Sequence, residues 1–91
     1  MILLWSARAI RDMAELAKLD RAAVDRLKTE ALRYAANPVN FPQRGGTNFK
    51  YLTASRHEAR LRVGHLRALM DRQGETWVVA RVVRRSEDTY D

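Results

Sequence analysis

The stretch Arg60-Leu61-Arg62-Val63-Gly64-His65-Leu66-Arg67 decides how the second half of this 91-residue chain folds. Basic and apolar residues alternate on either side of Gly64-His65, which reads as the two-residue loop of a tight hairpin. That hairpin pairs Val63 with Leu66 and Arg62 with Arg67. Side chains alternate faces along a strand, so Arg60, Arg62 and Arg67 fall on one side and Leu61, Val63, Leu66 and Ala68 on the other. Like charges directly opposite each other destabilise a sheet. A small domain that keeps such a pair has an anion to place there, which makes this hairpin the first candidate for a site.

Around the hairpin the apolar period is 2. Phe49 to Ala54, Glu58 to Val63, Leu66 to Asp71 and Glu75 to about Arg84 read as four strands, joined in part by Gly64-His65 and by an Asp71-Arg72-Gln73-Gly74 turn. With Asp71 opposite Gly74, Ala68 faces Trp77 and Leu66 faces Val79. Leu61, Val63, Leu66, Ala68, Met70, Trp77 and Val79 then share the core face, and Arg60, Arg62, Arg67, Val78, Val82 and Arg84 the other. Arg81 lands on the core side in this register. Either it lies beyond the core edge with its stem packed, or a bulge shifts the phase.

Upstream the period is 3.6. Met1 to Trp5 reads as a short buried strand, apolar on both faces. Ser6 is a fitting N-cap for a first helix running to about Leu19, with Ile10, Met13, Ala14 and Ala17 on one face. Asp20 caps a second helix ending near Ala36, whose buried stripe is Val24, Leu27, Ala31 and Tyr34 and whose stop is Asn37-Pro38. Helices joined this closely form an antiparallel hairpin. Residues 37–48 carry both prolines and two of the four glycines, and Gly45-Gly46 reads as a flexible connection rather than a phosphate cradle. The expected fold is α+β, a single domain over residues 1–91: an N-terminal strand, an antiparallel helix hairpin, then a curled antiparallel sheet.

Composition narrows the function. With 46% hydrophobic and 31% charged residues the chain is globular rather than disordered. It has no cysteine, which removes disulfides and thiolate metal sites and fits a reducing cytoplasm. Met1 to Trp5, the longest apolar run, is too short for a membrane span or a signal sequence. The net charge is +6, and residues 44–85 hold ten basic side chains against Glu58, Asp71 and Glu75. Fourteen of the seventeen basic residues are arginine, whose planar fork matches phosphate oxygens bidentately. Such a balance points to a polyanionic partner, nucleic acid being the commonest; an arginine-favouring coding bias is the alternative.

The two histidines stand apart. His65, at the hairpin tip, is placed to reach a phosphate or a base, or serves simply as a turn residue tolerant of unusual φ. His57 follows Ser55-Arg56 in a loop and has no partner visible in sequence. Two isolated histidines make neither a metal site nor a nucleophilic triad. Tyr51 and Trp5 read as packing residues.

This order of elements, with Arg-Leu-Arg-Val-Gly-x-x-Arg at 60–67, a valine-rich strand at 77–83 and Arg84-Arg85 followed by Tyr90, resembles the RelE/ParE toxins of bacterial type II toxin–antitoxin modules. Asn37-Pro38 and Lys50-Tyr51-Leu52 are weaker matches. The resemblance implies one of two activities: cleavage of messenger RNA in the ribosomal A site (RelE-like), or poisoning of DNA gyrase without nuclease chemistry (ParE-like). The RelE-like active-site positions fall on Arg60, Arg62, Arg67, Arg84 and Tyr90, which favours the ribonuclease branch. In that branch Arg62, Arg67, Arg84 and Tyr90 are the catalytic set, and Arg60, Lys50, Arg85 and His65 bind RNA. Arg62 and Arg67 would clamp phosphate oxygens. Arg60 or Arg84 would stabilise the leaving oxygen. Tyr90 is the candidate general base, or the group that orients the 2′-OH, because nearby positive charge favours a phenolate. Glu87 and Asp88 oppose that effect. Leu66 stands where many relatives have an aromatic residue, and Arg84-Arg85 stands where many have a histidine before the late arginine. The resemblance further implies no metal or cofactor, no membrane, and a toxin–antitoxin hetero-oligomer with an acidic, partly disordered antitoxin.

Overall fold

Ser6 and Asp20 open the two helices as their side chains predict. In the computed structural model, which describes residues 1–43 and 45–84, strand β1 (Ile2–Trp5) runs into helix α1 (Ala7–Leu19). The Ser6 Oγ accepts the Ala9 N–H at 3.0 Å, satisfying a donor the helix itself leaves open. Asp20 alone separates α1 from α2 (Arg21–Ala36) and serves both. Its N–H closes α1 on the Leu16 carbonyl, and its carboxylate accepts the Ala23 N–H at 3.1 Å.

Helix α2 buries Val24, Leu27, Ala31 and Tyr34, the stripe its spacing predicts. Helix α1 differs. Its buried side is Ala9 and Met13, with Leu16 and Ala17 packed against the core, whereas Ile10 is 55% exposed and Ala14 lies outside. The cause is at the cap. The Ser6 N–H also bonds to the Val79 carbonyl and its hydroxyl to the Ala80 carbonyl, both at 3.0 Å. These ties set the rotation of the first turn and turn Ala9, not Ile10, toward the sheet.

Strands β2 (Thr47–Tyr51), β3 (Ala59–Val63), β4 (Leu66–Gln73) and β5 (Thr76–Arg84) follow, in the spatial order β1-β5-β4-β3-β2. All neighbours are antiparallel except β1, which lies parallel to β5. The core joins the helix stripes to Leu61, Val63, Leu66, Ala68, Met70, Trp77, Val79 and Val82 on one sheet face. Strand β1 is an edge, not a strand buried on both sides: Leu3 and Trp5 pack on the core while Ile2 and Leu4 are more than half exposed. Tyr34, stacked on Phe49 with ring centroids 4.4 Å apart, anchors α2 to β2. Burial, with Tyr51 adding to it and Arg72 opposing it, pushes the Tyr34 phenol up to about 12.

The first hairpin has the expected register, Val63 opposite Leu66 and Arg62 opposite Arg67. The second does not. Gln73 lies opposite Thr76, so the loop is Gly74-Glu75 rather than the four residues from Asp71, and Ala68 faces Val82 instead of Trp77. Each hairpin thus uses a two-residue loop opened by a glycine at positive φ, +61° at Gly64 and +64° at Gly74, a turn that suits the right-handed twist of the strands. A bulge at Ala80 then shifts the phase. Beyond it Val82 enters the core, at 2% exposure, and Arg81 leaves it.

Asp12 holds the bulged strand. Strand β1 pairs only with Thr76–Val79, so the rest of that β5 edge meets α1, where the Asp12 carboxylate accepts from the Val82 N–H at 2.9 Å and from Arg81 Nε at 2.8 Å. Burial would raise the Asp12 pKa, but the hydrogen bonds from Arg81 and Val82 and the arginine charge outweigh it and hold the carboxyl below 3.8. A lowered folded-state value means stability that is complete above the unfolded value and is lost as the pH falls through the folded one. Asp12→Asn is therefore expected to cost about 1 to 2 kcal/mol at pH 7, and chemical denaturation should show its deficit closing below about pH 4.

Gly45-Gly46 is a bonded turn, not a loose connection. Arg26 donates to the Gly45 carbonyl and to Thr47 Oγ1, and the Gly64 N–H bonds to the Gly46 carbonyl at 3.1 Å. The guanidinium on α2 thereby holds the Gly45-Gly46 turn, and the backbone bond from Gly64 ties that turn to the first hairpin at one end of the sheet.

Candidate nucleic-acid interface

On the sheet face away from the helices, alternation brings together Asn48 and Lys50 from β2, Arg60 and Arg62 from β3, Arg67, Leu69 and Asp71 from β4, and Arg81 and Val83 from β5. Across the strands Lys50 faces Arg60, Asn48 and Arg67 flank Arg62, and Val83 lies beside Arg67. Arg60 and Arg67 are buried, at 7% and 8% exposure, Arg62 is half-buried, and Lys50 is exposed. The buried guanidinium groups are thus not solvated surface charges. One Arg60 nitrogen donates to Asn48 Oδ1 at 2.9 Å, which ties the side chain to β2. Concentrated positive charge with restricted solvent access strengthens any interaction with an entering phosphate.

The bulge at Ala80 separates Arg84 from the arginines whose face strict alternation gives it. Arg84 lies opposite Leu66 and on the helix side, where it lines a cleft with Leu16, Leu19, Asp20 and Ala23, instead of the face of Arg60, Arg62 and Arg67. His65 sits in the same region, its Nε2 3.8 Å from Asp20 Oδ2 at the helix junction. The expected placements of Arg85 and Tyr90 fall outside the described residues.

Three groups on or beside this face were not identified in sequence. Asn48 holds Arg60. Arg81 belongs to the face, with its Nε drawn to Asp12 at the sheet edge. His57 has a partner after all: its Nδ1 is 3.0 Å from Asp71 Oδ2, while the other Asp71 oxygen accepts the Glu58 N–H at 3.2 Å. The even spacing of Arg67, Leu69 and Asp71 carried this signal, but assigning Asp71 to a turn concealed it.

The comparisons with known proteins agree with this architecture. Residues 3–89 match the family model described as the ParE toxin of type II toxin–antitoxin system, parDE. The chain therefore belongs to that toxin family, within the RelE/ParE superfamily. Its fold is similar to that in the crystal structure of a RelB–RelE antitoxin–toxin complex from Methanococcus jannaschii. The TM-score is 0.61 with 17% identity over 90% of this chain and 89% of that one. No curated protein matches it. Among the described residues no helix is long and apolar enough to cross a membrane.

Proposed function

We propose that this toxin is a messenger RNA interferase, cleaving RNA in the ribosomal A site by attack of a ribose 2′-OH on the adjacent phosphate. The observation that carries the reading is the directly opposed pair Arg62 and Arg67, flanked by Arg60 and Lys50 on one face. Two opposed arginines concentrate positive charge at one point of the face, and a pentacovalent phosphorane is stabilised by cationic forks at its oxygens. In this scheme Arg62 and Arg67 clamp the phosphate, Arg60 steadies the charge that develops on it, and Lys50 guides the RNA backbone. Tyr90 is assigned the removal or orientation of the 2′-OH proton. Arg84, Arg85 and His65 are assigned contacts to RNA backbone away from the cleaved bond. The scheme requires no metal. A cognate acidic antitoxin is the neutralising partner in this reading, and the similar RelE structure is a complex with its antitoxin RelB.

The family match to ParE favours a second reading, inhibition of DNA gyrase by a module without chemistry of its own. Two parallel assays separate the readings. Purified protein is expected to stop a translating extract, with new RNA ends on ribosomes, and to leave gyrase supercoiling unchanged. Inhibited supercoiling with intact messengers would reverse the assignment.

A further inference from the structure

The loop before β3 holds polar side chains that the phosphate clamp leaves unused. Asp71 accepts from the Glu58 backbone and contacts His57 Nδ1. A carboxylate anchored in this way fixes an imidazole and leaves Nε2 as the nitrogen open to a substrate. The His57 side chain, 16% exposed, lines a cavity of about 440 Å3 with Ala54, Ser55, Arg56, Leu69, Arg81 and Val83. Leu69 is the cross-strand partner of Arg60, and Val83 that of Arg67. The cavity therefore runs from His57 to the edge of the arginine pair. Ala54, at its lip, has φ +57°, a left-handed conformation uncommon outside glycine and concentrated at functional sites.

We propose that His57, oriented by Asp71, is the general acid of the cleavage, and that the cavity receives the nucleotide on the 3′ side of the broken bond. The inference rests on the ribonuclease reading and deepens it. Arginine does not release its proton at working pH, so Arg60, Arg62 and Arg67 stabilise charge but deliver no proton to a leaving group. His65 is at the opposite end of the sheet beside Asp20, which leaves His57 as the imidazole of this face. Among the described residues, the charged groups around its ring are Asp71 on β4, Arg81 on β5, and Arg56 and Glu58 beside it in the chain. As the 2′-oxygen bonds to phosphorus, its proton passes to the base. The bond from phosphorus to the 5′-oxygen breaks, its electron pair stays on that oxygen, and the Nε2 proton of the His57 imidazolium joins it, leaving a neutral ring whose remaining proton is on Nδ1 toward Asp71. The products are a 2′,3′-cyclic phosphate and a 5′-hydroxyl, and water returns a proton to His57.

The test compares two short messengers placed in the ribosomal A site, one ordinary and one with sulfur in place of the 5′-bridging oxygen. A thiolate leaves without being protonated. His57→Gln should slow cleavage of the ordinary messenger about a hundredfold and cleave the sulfur messenger near the wild-type rate. Asp71→Asn should show a smaller loss, recovered in the same way. Should His57→Gln lose its fold by circular dichroism, Asp71→Asn carries the comparison alone. Equal losses on both messengers in a folded variant, or no loss on either, would overturn the role of His57 and leave the ribonuclease reading standing. Wild-type protein that cleaves neither messenger would overturn both.

Discussion

Arg62→Gln should raise the melting temperature by about 2 to 4 °C while lowering messenger cleavage by a hundredfold or more. Arg62 lies directly opposite Arg67 on neighbouring strands and is half-buried, so their repulsion is not fully relieved by solvent. Opposed like charges on a sheet cost up to about 1 kcal/mol, and in a domain of this size 1 kcal/mol corresponds to roughly 4 to 8 °C. Glutamine keeps most of the stem and removes the charge, so the folded state gains what the repulsion had cost. The same change removes one of the two forks holding the phosphorane, a loss of about two to three powers of ten in comparable electrostatic sites. Stability and activity therefore move in opposite directions, as expected where a strained arrangement serves a function. Calorimetry and a single-turnover cleavage rate check both halves. A lower melting temperature with unchanged cleavage would make Arg62 a structural residue.

Leu61→Ala tests the other face of the same strand. Leu61 is fully buried between Phe49 and Ala68 in the register, and its side chain belongs to the core shared with both helices. Removing it leaves a cavity in packing with little room to relax, at a cost of about 3 kcal/mol. A domain of this length has a total stability on the order of 5 to 10 kcal/mol, so the variant should lose roughly a third to a half of it or more. Urea denaturation should show a lower midpoint with an unchanged slope. Because Leu61 points away from Arg60 and Arg62, the folded fraction measured well below the melting temperature should cleave normally. A specific loss of cleavage without loss of stability would mean that the two faces of β3 are not independent.

These predictions depend on which parts of the fold were legible in the sequence. The helix caps, the α2 stripe and the Gly64-His65 hairpin were, because each is decided by contacts within a few residues. The second hairpin was not. Its glycine-led loop was available as a repeat of the first, but Asp71 in a polar run drew the turn two residues too early. The Ala80 bulge had one visible sign, Arg81 on the apolar face, and its position depends on Ser6 and Asp12, more than 65 residues away in sequence. Long-range bonds of that kind leave no local periodicity. The bulge is also what moves Arg84 from the arginine face to the helix side, and what brings Arg81 onto the face beside His57. Of the expected site residues, Lys50, Arg60, Arg62 and Arg67 are together because they rest on one alternating register. Arg84, which required counting across the bulge, is elsewhere, and His65 is at the hairpin tip, as expected, beside Asp20. Arg60 and Arg67 are moreover buried rather than solvated on an open face.

The central claim is that the face bearing Arg62 and Arg67 breaks phosphodiester bonds in translated messages. It is tested most directly by mapping messenger 5′ ends on ribosomes after induction of the wild-type chain and of Arg62→Gln in growing bacteria. The account predicts new 5′-hydroxyl ends at A-site positions with the wild type and none above background with the variant. Intact A-site messengers, with growth arrest of equal strength from both chains, would contradict it.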